Sequence, residues 1–198
     1  MSKRWAWTLA LLALPACGYN RIQTLDEQVN GFAGQIKVQL QRRADLVPNL
    51  VETVRGYAQQ EVTIFTAVAD ARARLGGAVQ SGNLQEMAAA NQNLTGALGR
   101  LLAISENYPQ LKSNENFRAL QDQLEGTENR IATARQDYNT AVQTYNAYIR
   151  QFPQVITAKV IGKHPREYFE LTTPGAAEAP KVNFTQPATP APSGETKR

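Results

Sequence analysis

A helical period of apolar residues runs through the first half of this chain. Side chains spaced alternately by three and four residues share one face of an α-helix. The stripe steps by four and three without interruption: Ile36, Leu40, Arg43, Val47, Leu50, Val54, Tyr57, Glu61, Ile64 and Val68. Four further apolar residues lead into it with one adjustment of spacing: Ile22, Leu25, Val29 and Phe32. The pattern predicts an amphipathic helix of roughly 50 residues.

Pro48 lies off this stripe and leaves two interpretations open. Proline has no backbone N–H and interrupts the hydrogen bonding of an α-helix. No glycine or turn cluster surrounds Pro48, which favours a helix that is kinked but continuous. Alternatively, Asp45 caps the start of a separate second helix, so that the helix is broken near Pro48.

Two further stripes follow. Residues 76–83 predict a loop, after which Asn83 and Glu86 have the spacing of a helix cap. The second stripe is Leu84, Met87, Asn91, Leu94, Leu98, Leu101, Ser105 and Tyr108. Breaks are expected at Pro109 and Ser113. The third stripe is Phe117, Leu120, Leu124, Thr127, Ile131, Ala134, Tyr138, Ala141, Tyr145, Tyr148 and Phe152.

The third stripe predicts a helix about 55–60 Å long. Long helices joined by short loops fold back on each other. The predicted fold is therefore all-α: an elongated antiparallel bundle of three or four long helices.

The N-terminus has the order of a secretory signal. A short basic stretch precedes an apolar run at residues 5–16. That run is too short for a comfortable bilayer span, which takes about 20 residues. The residues Leu14-Pro15-Ala16-Cys17 resemble the lipobox of bacterial lipoproteins. The sequence thus predicts that Cys17 is lipidated and that the protein is a periplasm-facing lipoprotein of either the inner or the outer membrane. The alternatives are a plain cleaved signal and a signal anchor.

Charge and composition divide the rest of the chain. From Tyr19 to Phe152 the basic and acidic residues are equal in number, so the formal net charge of +4 comes from the two ends. Such a balanced surface does not predict nucleic-acid binding. We expect a signal peptide at 1–16, a lipidated tether at 17–22, a helical bundle at 20–171 and a disordered tail rich in Pro, Ala and Thr at 172–198.

No motif for catalysis or metal binding is found. His164 is the single histidine and Cys17 the single cysteine. Di-iron bundles need Glu-x-x-His pairs, and zinc sites need several His or Cys ligands. No phosphate-binding loop or nucleophile elbow occurs. The sequence therefore predicts no enzymatic activity, no metal and no cofactor.

Charged residues on or beside the apolar stripes are expected to form cross-helix ion pairs, because an unpaired buried charge is costly. They are Arg43, Glu61, Arg72, Glu128 and Arg135. We expect Glu61 or Arg72 to pair with Glu128 or Arg135, and Asn91 to specify helix register. Tyr138, Tyr145 and Tyr148 form an aromatic ladder that is interpreted as core, or alternatively as one wall of a binding groove.

Several motifs together resemble one known family. They are Tyr19-Asn20, the segment 41–51 with Arg43 and Pro48, Gly56-Tyr57-Ala58, Glu61, the segment 106–112, Thr127-Glu128-Asn129, Ala134-Arg135, Tyr138-Asn139, Tyr145-Asn146 and Phe152-Pro153. The chain resembles the LemA family from Tyr19 to about Phe169. The resemblance implies a long-helix bundle on the outer side of a bacterial membrane, without an established enzymatic activity or cofactor. Many members have a true membrane span, from which the short lipobox-like segment departs.

Two functions are consistent with these features. The favoured one is a non-enzymatic scaffold or assembly factor, a coiled-coil rod that offers helical faces to a protein partner or to a second copy. The alternative is a binding module for a small ligand or a cell-envelope polymer, which would use the groove beside the tyrosine ladder.

Overall fold

The computed structural model describes residues 18–169, which contain six α-helices. Four are long: α1 (Tyr19–Arg55), α2 (Val62–Ser81), α3 (Leu84–Ile104) and α5 (Glu115–Arg150). Two are short, α4 (Pro109–Lys112) and α6 (Gln154–Val160), and a 3-10 turn (Ser105–Asn107) follows α3. The all-α class is confirmed for this part of the chain. The prediction of three or four long helices agrees with the four long helices, but the two short helices were not predicted.

Helix α1 runs through Pro48 without a break. It has 37 residues and is about 55 Å long. A separate helix beginning at Asp45 is therefore wrong, and so is the 50-residue helix, because α1 ends at Arg55. Residues 56–61 form the turn into α2, where the N–H of Ala58 donates to the Val54 carbonyl at 2.9 Å. The apolar period continues across this turn because both helices face the same core.

The turn between α2 and α3 is shorter than predicted. Most of the expected loop at 76–83 is helical, and only Gly82 and Asn83 separate the two helices. Gly82 has a φ of 74°, a left-handed conformation that glycine adopts without a steric penalty. The Asn83 side chain accepts hydrogen bonds from the N–H groups of Gln85 at 2.9 Å and Glu86 at 3.3 Å. This confirms the predicted cap.

The predicted break before the last long helix is confirmed. The 3-10 turn and α4 occupy the region around Pro109, and Asn114 then caps α5 by accepting from the N–H of Phe117 at 3.0 Å. Helix α5 has 36 residues, which corresponds to about 54 Å. Its length agrees with the helix predicted from the third stripe.

Helices α1 and α5 are the most extensively packed pair, but different elements cover their two halves. The distal half consists of the α2–α3 hairpin, residues 37–55 of α1 and residues 115–134 of α5. Gly82, at the hairpin turn, lies beside the Lys37 side chain and so marks its boundary. The proximal half consists of residues 18–36 of α1, residues 135–150 of α5, α6, and the extended residues 163–169, which we call the strap.

Within residues 18–169, no helix is both long and apolar enough to cross a bilayer. Cys17, the apolar run before it and the predicted tail lie outside the described residues.

Candidate functional site

A buried polar cluster joins three helices of the distal half. Arg43 of α1 is only 5% exposed. Its Nη1 donates to Asn91 Oδ1 of α3 at 2.7 Å and forms an ion pair with Glu128 of α5. Burial lowers the pKa of Arg43, and the Glu128 carboxylate opposes this shift. Because a guanidinium stays charged far above neutral pH, Arg43 supplies a fixed positive charge to this cluster.

Arg72 of α2 compensates for the proline in α1. The missing N–H of Pro48 leaves the carbonyl of Ala44, four residues earlier, without its helical partner. Arg72 Nε donates to this carbonyl oxygen at 2.8 Å. Ala44 is buried, so an unpaired carbonyl here would be costly. This hydrogen bond explains how α1 continues through Pro48, and why α2 has an arginine at the position that faces the Ala44 carbonyl.

The specific ion pairs predicted from sequence do not form among residues 18–169. Glu128 is engaged in the buried cluster, and Arg72 contacts a backbone carbonyl. Glu61 lies at the N-terminal boundary of α2. Arg135 lies over the aromatic ring of Phe169, with its guanidinium carbon 5.3 Å from the ring centroid. Among the five charged residues, Arg43 and Glu128 form a cross-helix ion pair, and Arg72 and Arg135 contact other partners.

The proximal half is closed by a ladder of hydrogen bonds between α5 and the strap. Two tyrosine hydroxyls donate to strap carbonyls: Tyr138 to Glu167 at 2.9 Å and Tyr145 to His164 at 3.2 Å. Burial raises the pKa of both tyrosines, which keeps the hydroxyls protonated as donors. The predicted groove wall is thus in contact with the chain's own strap.

Two asparagines complete this ladder. Asn146 accepts from the backbone N–H of Arg166 at 2.8 Å and donates to its carbonyl at 2.9 Å. Asn139 makes the same pair of bonds with Phe169, at 2.8 and 3.2 Å. Each amide therefore satisfies both backbone groups of one strap residue, as a neighbouring β-strand would do.

The spacing of the Tyr-Asn pairs along α5 matches the spacing of their partners along the strap. Tyr138-Asn139 and Tyr145-Asn146 lie seven residues apart on α5, a rise of about 10.5 Å. Their strap partners lie three residues apart, which in an extended chain is about 10 Å. The tyrosine–asparagine repeat can therefore hold an extended antiparallel segment in register through its backbone.

Ion pairs fasten the strap to α1. Asp26 is buried and accepts from Lys163 Nζ at 2.6 Å and from Arg166 Nη2 at 2.8 Å. Desolvation acts to raise the pKa of Asp26, but hydrogen bonds from Lys163 and Arg166 outweigh it, so the pKa lies below its ordinary value. The hydrogen bond to Asp26 also raises the pKa of Arg166. The contact remains charged over the neutral range.

Sequence reasoning missed Asp26, Asn139 and Asn146. The available signal is the repeated Tyr-Asn pair at heptad spacing. Tyr148, the third predicted groove residue, is half-buried beside Gly18. An open groove of about 420 Å³ runs along the outer side of the strap; its lining includes Arg135, Asn139 and Tyr168. In residues 18–169, no three His, Cys, Asp or Glu side chains are grouped to hold a metal ion.

Comparison with known proteins identifies the family. The LemA family profile matches residues 33–184. The chain is 31% identical over 185 residues to the magnetosome proteins MamQ 2 and MamQ 1 of Paramagnetospirillum magneticum, covering 82% of this chain and 68% of each relative. Magnetosome protein MamQ of Magnetospirillum gryphiswaldense is 30% identical over 174 residues, with 76% and 64% covered. Neither the family nor these relatives are named for an enzymatic activity. The resemblance found in the sequence is thus confirmed, and the chain belongs to the LemA family.

Proposed function

We propose that this protein is a membrane-tethered, non-enzymatic helical scaffold on the outer side of a bacterial membrane. One observation carries the proposal: buried polar side chains bridge different elements in both halves of the rod. The Arg43 cluster fixes the distal half and the strap ladder fixes the proximal half. Hydrogen bonds of this kind between elements help to specify one arrangement of the fold. A rigid rod about 55 Å long is suited to presenting helix faces to another protein.

The tether is the first part to test. We expect the mature chain to begin at an acylated Cys17 and to fractionate with membranes. Intact mass and membrane fractionation of the full chain check this beside a Cys17→Ala variant, with Ser2→Ala as the matched control. Loss of membrane binding only in Cys17→Ala supports lipidation, which replaces a membrane span as the anchor. A full-length, unacylated N-terminus would instead indicate a signal anchor.

The scaffold role requires a protein partner or a second copy. A photoreactive amino acid placed at exposed positions, one on each long helix, tests this in native membranes: Val38 of α1, Asp70 of α2, Asn93 of α3 and Glu125 of α5. We expect one discrete adduct from one face, because a rigid rod presents each face in a fixed direction. The adduct should be lost when charges on that face are reversed. Absence of adducts from all four positions would contradict a scaffold.

The open groove beside the strap favours the alternative function, a binding module for a small ligand or an envelope polymer. The hydroxyls of Tyr138 and Tyr145 are engaged by the strap, so a ligand would meet Arg135 and Tyr168 instead. Thermal-shift measurements with peptidoglycan fragments, on the native chain and on Arg135→Gln, test this. A shift that depends on Arg135 would support a ligand site, whereas equal curves with and without fragments would exclude these ligands.

A further inference from the structure

Large apolar side chains are exposed at the proximal end of the bundle. Phe152 is 80% exposed, Ile156 is 55% exposed and Val160 is 78% exposed. Ile156 and Val160 lie one turn apart on the same face of α6, and Phe152 precedes that helix by two residues. Three such side chains within nine residues are unusual for a surface that faces only water.

The chain enters the bundle at this same end. Gly18, the residue before α1, lies against the start of α6, since a Cβ atom there would be 3.1 Å from Gln154 Cγ. Cys17 directly precedes Gly18, and the apolar run at 5–16 directly precedes Cys17. Consecutive Cα atoms are about 3.8 Å apart. An anchor in that segment therefore holds Phe152 and α6 close to the bilayer.

The charged side chains around the start of α1 and along α6 are basic, and the exposed acidic residues of the proximal half, Glu27, Asp137 and Glu167, lie outside these segments. No aspartate or glutamate occurs in residues 1–25 or in residues 138–166. Arg21, Arg150 and Lys159 are exposed there. Basic side chains next to exposed apolar ones are the composition that binds the interface of an anionic bilayer. The distal end differs, because acidic and basic residues are interspersed around it.

We propose that α6 and Phe152 form a membrane-docking surface. Phe152, Ile156 and Val160 lie among the lipid headgroups, and the exposed basic residues contact anionic lipid phosphates. The inference rests on the tether proposed above and adds to it a fixed orientation: the proximal end, with its strap, is held at the membrane, and the α2–α3 hairpin is held away from it.

The experiment uses the protein extracted from membranes and reconstituted in vesicles, with a tryptophan as the depth probe. The two native tryptophans, Trp5 and Trp7, precede Cys17 and are replaced by phenylalanine, so that the probe is the single tryptophan whether or not this segment is cleaved. Phe152→Trp is then compared with Val62→Trp, which probes a residue 64% exposed at the distal end. The vesicles contain brominated phosphatidylcholine, with or without phosphatidylglycerol. We expect a blue-shifted emission and roughly twofold quenching for Phe152→Trp, and an unchanged, water-like emission for Val62→Trp. Ile156→Trp serves as a second proximal probe should Phe152→Trp fail to fold.

The outcomes separate docking from tethering. If both variants float with the vesicles but neither is quenched, docking is wrong while the tether remains. If neither variant floats, the tether fails and docking fails with it. A blue shift without quenching would place a protein or a second copy on this surface and would overturn the lipid assignment. The joint change Arg150→Glu and Lys159→Glu should reduce quenching in anionic vesicles towards its level without phosphatidylglycerol. Unchanged quenching would show that Arg150 and Lys159 do not contact the anionic lipids.

Discussion

The distal half of the bundle is closed by two more helices, whereas the proximal half is closed by α6 and an extended strap. An α-helix satisfies its own backbone hydrogen bonds, so the α2–α3 hairpin can cover α1 and α5 mainly with apolar side chains. The strap has no regular backbone partner. Its N–H and C=O groups are instead bonded by the tyrosine and asparagine side chains of α5.

This difference explains the composition of the two cores. Leucine and alanine predominate where helix meets helix, as at Leu75, Leu94 and Ala97. Tyr138 and Tyr145 occur where a helix meets the strap, because each has an apolar ring for the core and a hydroxyl for a strap carbonyl. We therefore expect the distal half to be sensitive to lost volume and the proximal half to lost hydrogen bonds.

The largest effect is expected from a cavity in the distal half. Leu94 is fully buried in α3, so Leu94→Ala should lower the free energy of unfolding by about 2–5 kcal/mol. Urea denaturation followed by circular dichroism measures this. Leu94→Met is the matched control and should cost less than about 1.5 kcal/mol, because it nearly preserves volume. Equal effects of the two variants would show that packing at Leu94 does not limit stability.

The next effect concerns the proline in α1. Arg72→Met leaves the buried Ala44 carbonyl without a donor and should cost about 1–3 kcal/mol. In the Pro48→Ala background this cost should fall towards zero, since the alanine N–H bonds the same carbonyl. A double-mutant cycle of urea midpoints measures the coupling. Additive effects would mean that Arg72 stabilises the bundle by another route.

In the proximal half, Asp26→Asn should loosen the strap without unfolding the bundle. The expected cost is about 1–2 kcal/mol, because Lys163 and Arg166 are partly in solvent and regain water contacts. Hydrogen exchange reads this directly at the N–H groups of Arg166 and Phe169, which bond to asparagine side chains. Protection of α3 amides should not change. The exposed neighbour Glu27 supplies the control variant, Glu27→Gln.

The same contact predicts a dependence on pH. The pKa of Asp26 is lowered in the folded protein, so its stabilising contribution is present above its ordinary value of 3.8. That contribution is lost as the pH falls through the lower, folded pKa. Strap protection in the native chain should therefore decrease in this acidic range, and Asp26→Asn should lack the step. An identical acid profile in both proteins would assign the step to another carboxyl group.

The same contrast decides what could be predicted from sequence. The helical apolar periods correctly predict α3 and α5, and Asn83 is the predicted N-cap of α3. The turn at 56–61 was missed because the apolar period stays in phase through Tyr57 and Glu61 while the chain reverses. The strap falls within the predicted bundle at 20–171, but its hydrogen bonding was missed because Asn139 and Asn146 bind backbone atoms, which every residue has. A backbone partner leaves no pattern in the strap's own sequence, so only the repeated Tyr-Asn pair could have indicated it.

The smallest effect tests whether the two halves unfold together. Gly31 of α1 and Gly99 of α3 are exposed within helices, and a Cβ at either would meet no atom within 4 Å. Gly31→Ala and Gly99→Ala should each stabilise the protein by about 0.5–1 kcal/mol. Because α1 and α5 run through both halves, we expect one cooperative transition whose midpoint rises equally in both variants. If Gly31→Ala raised only an early transition and Gly99→Ala only a late one, the proximal half would be a separate unfolding unit, and the strap would not contribute to the stability of the whole rod.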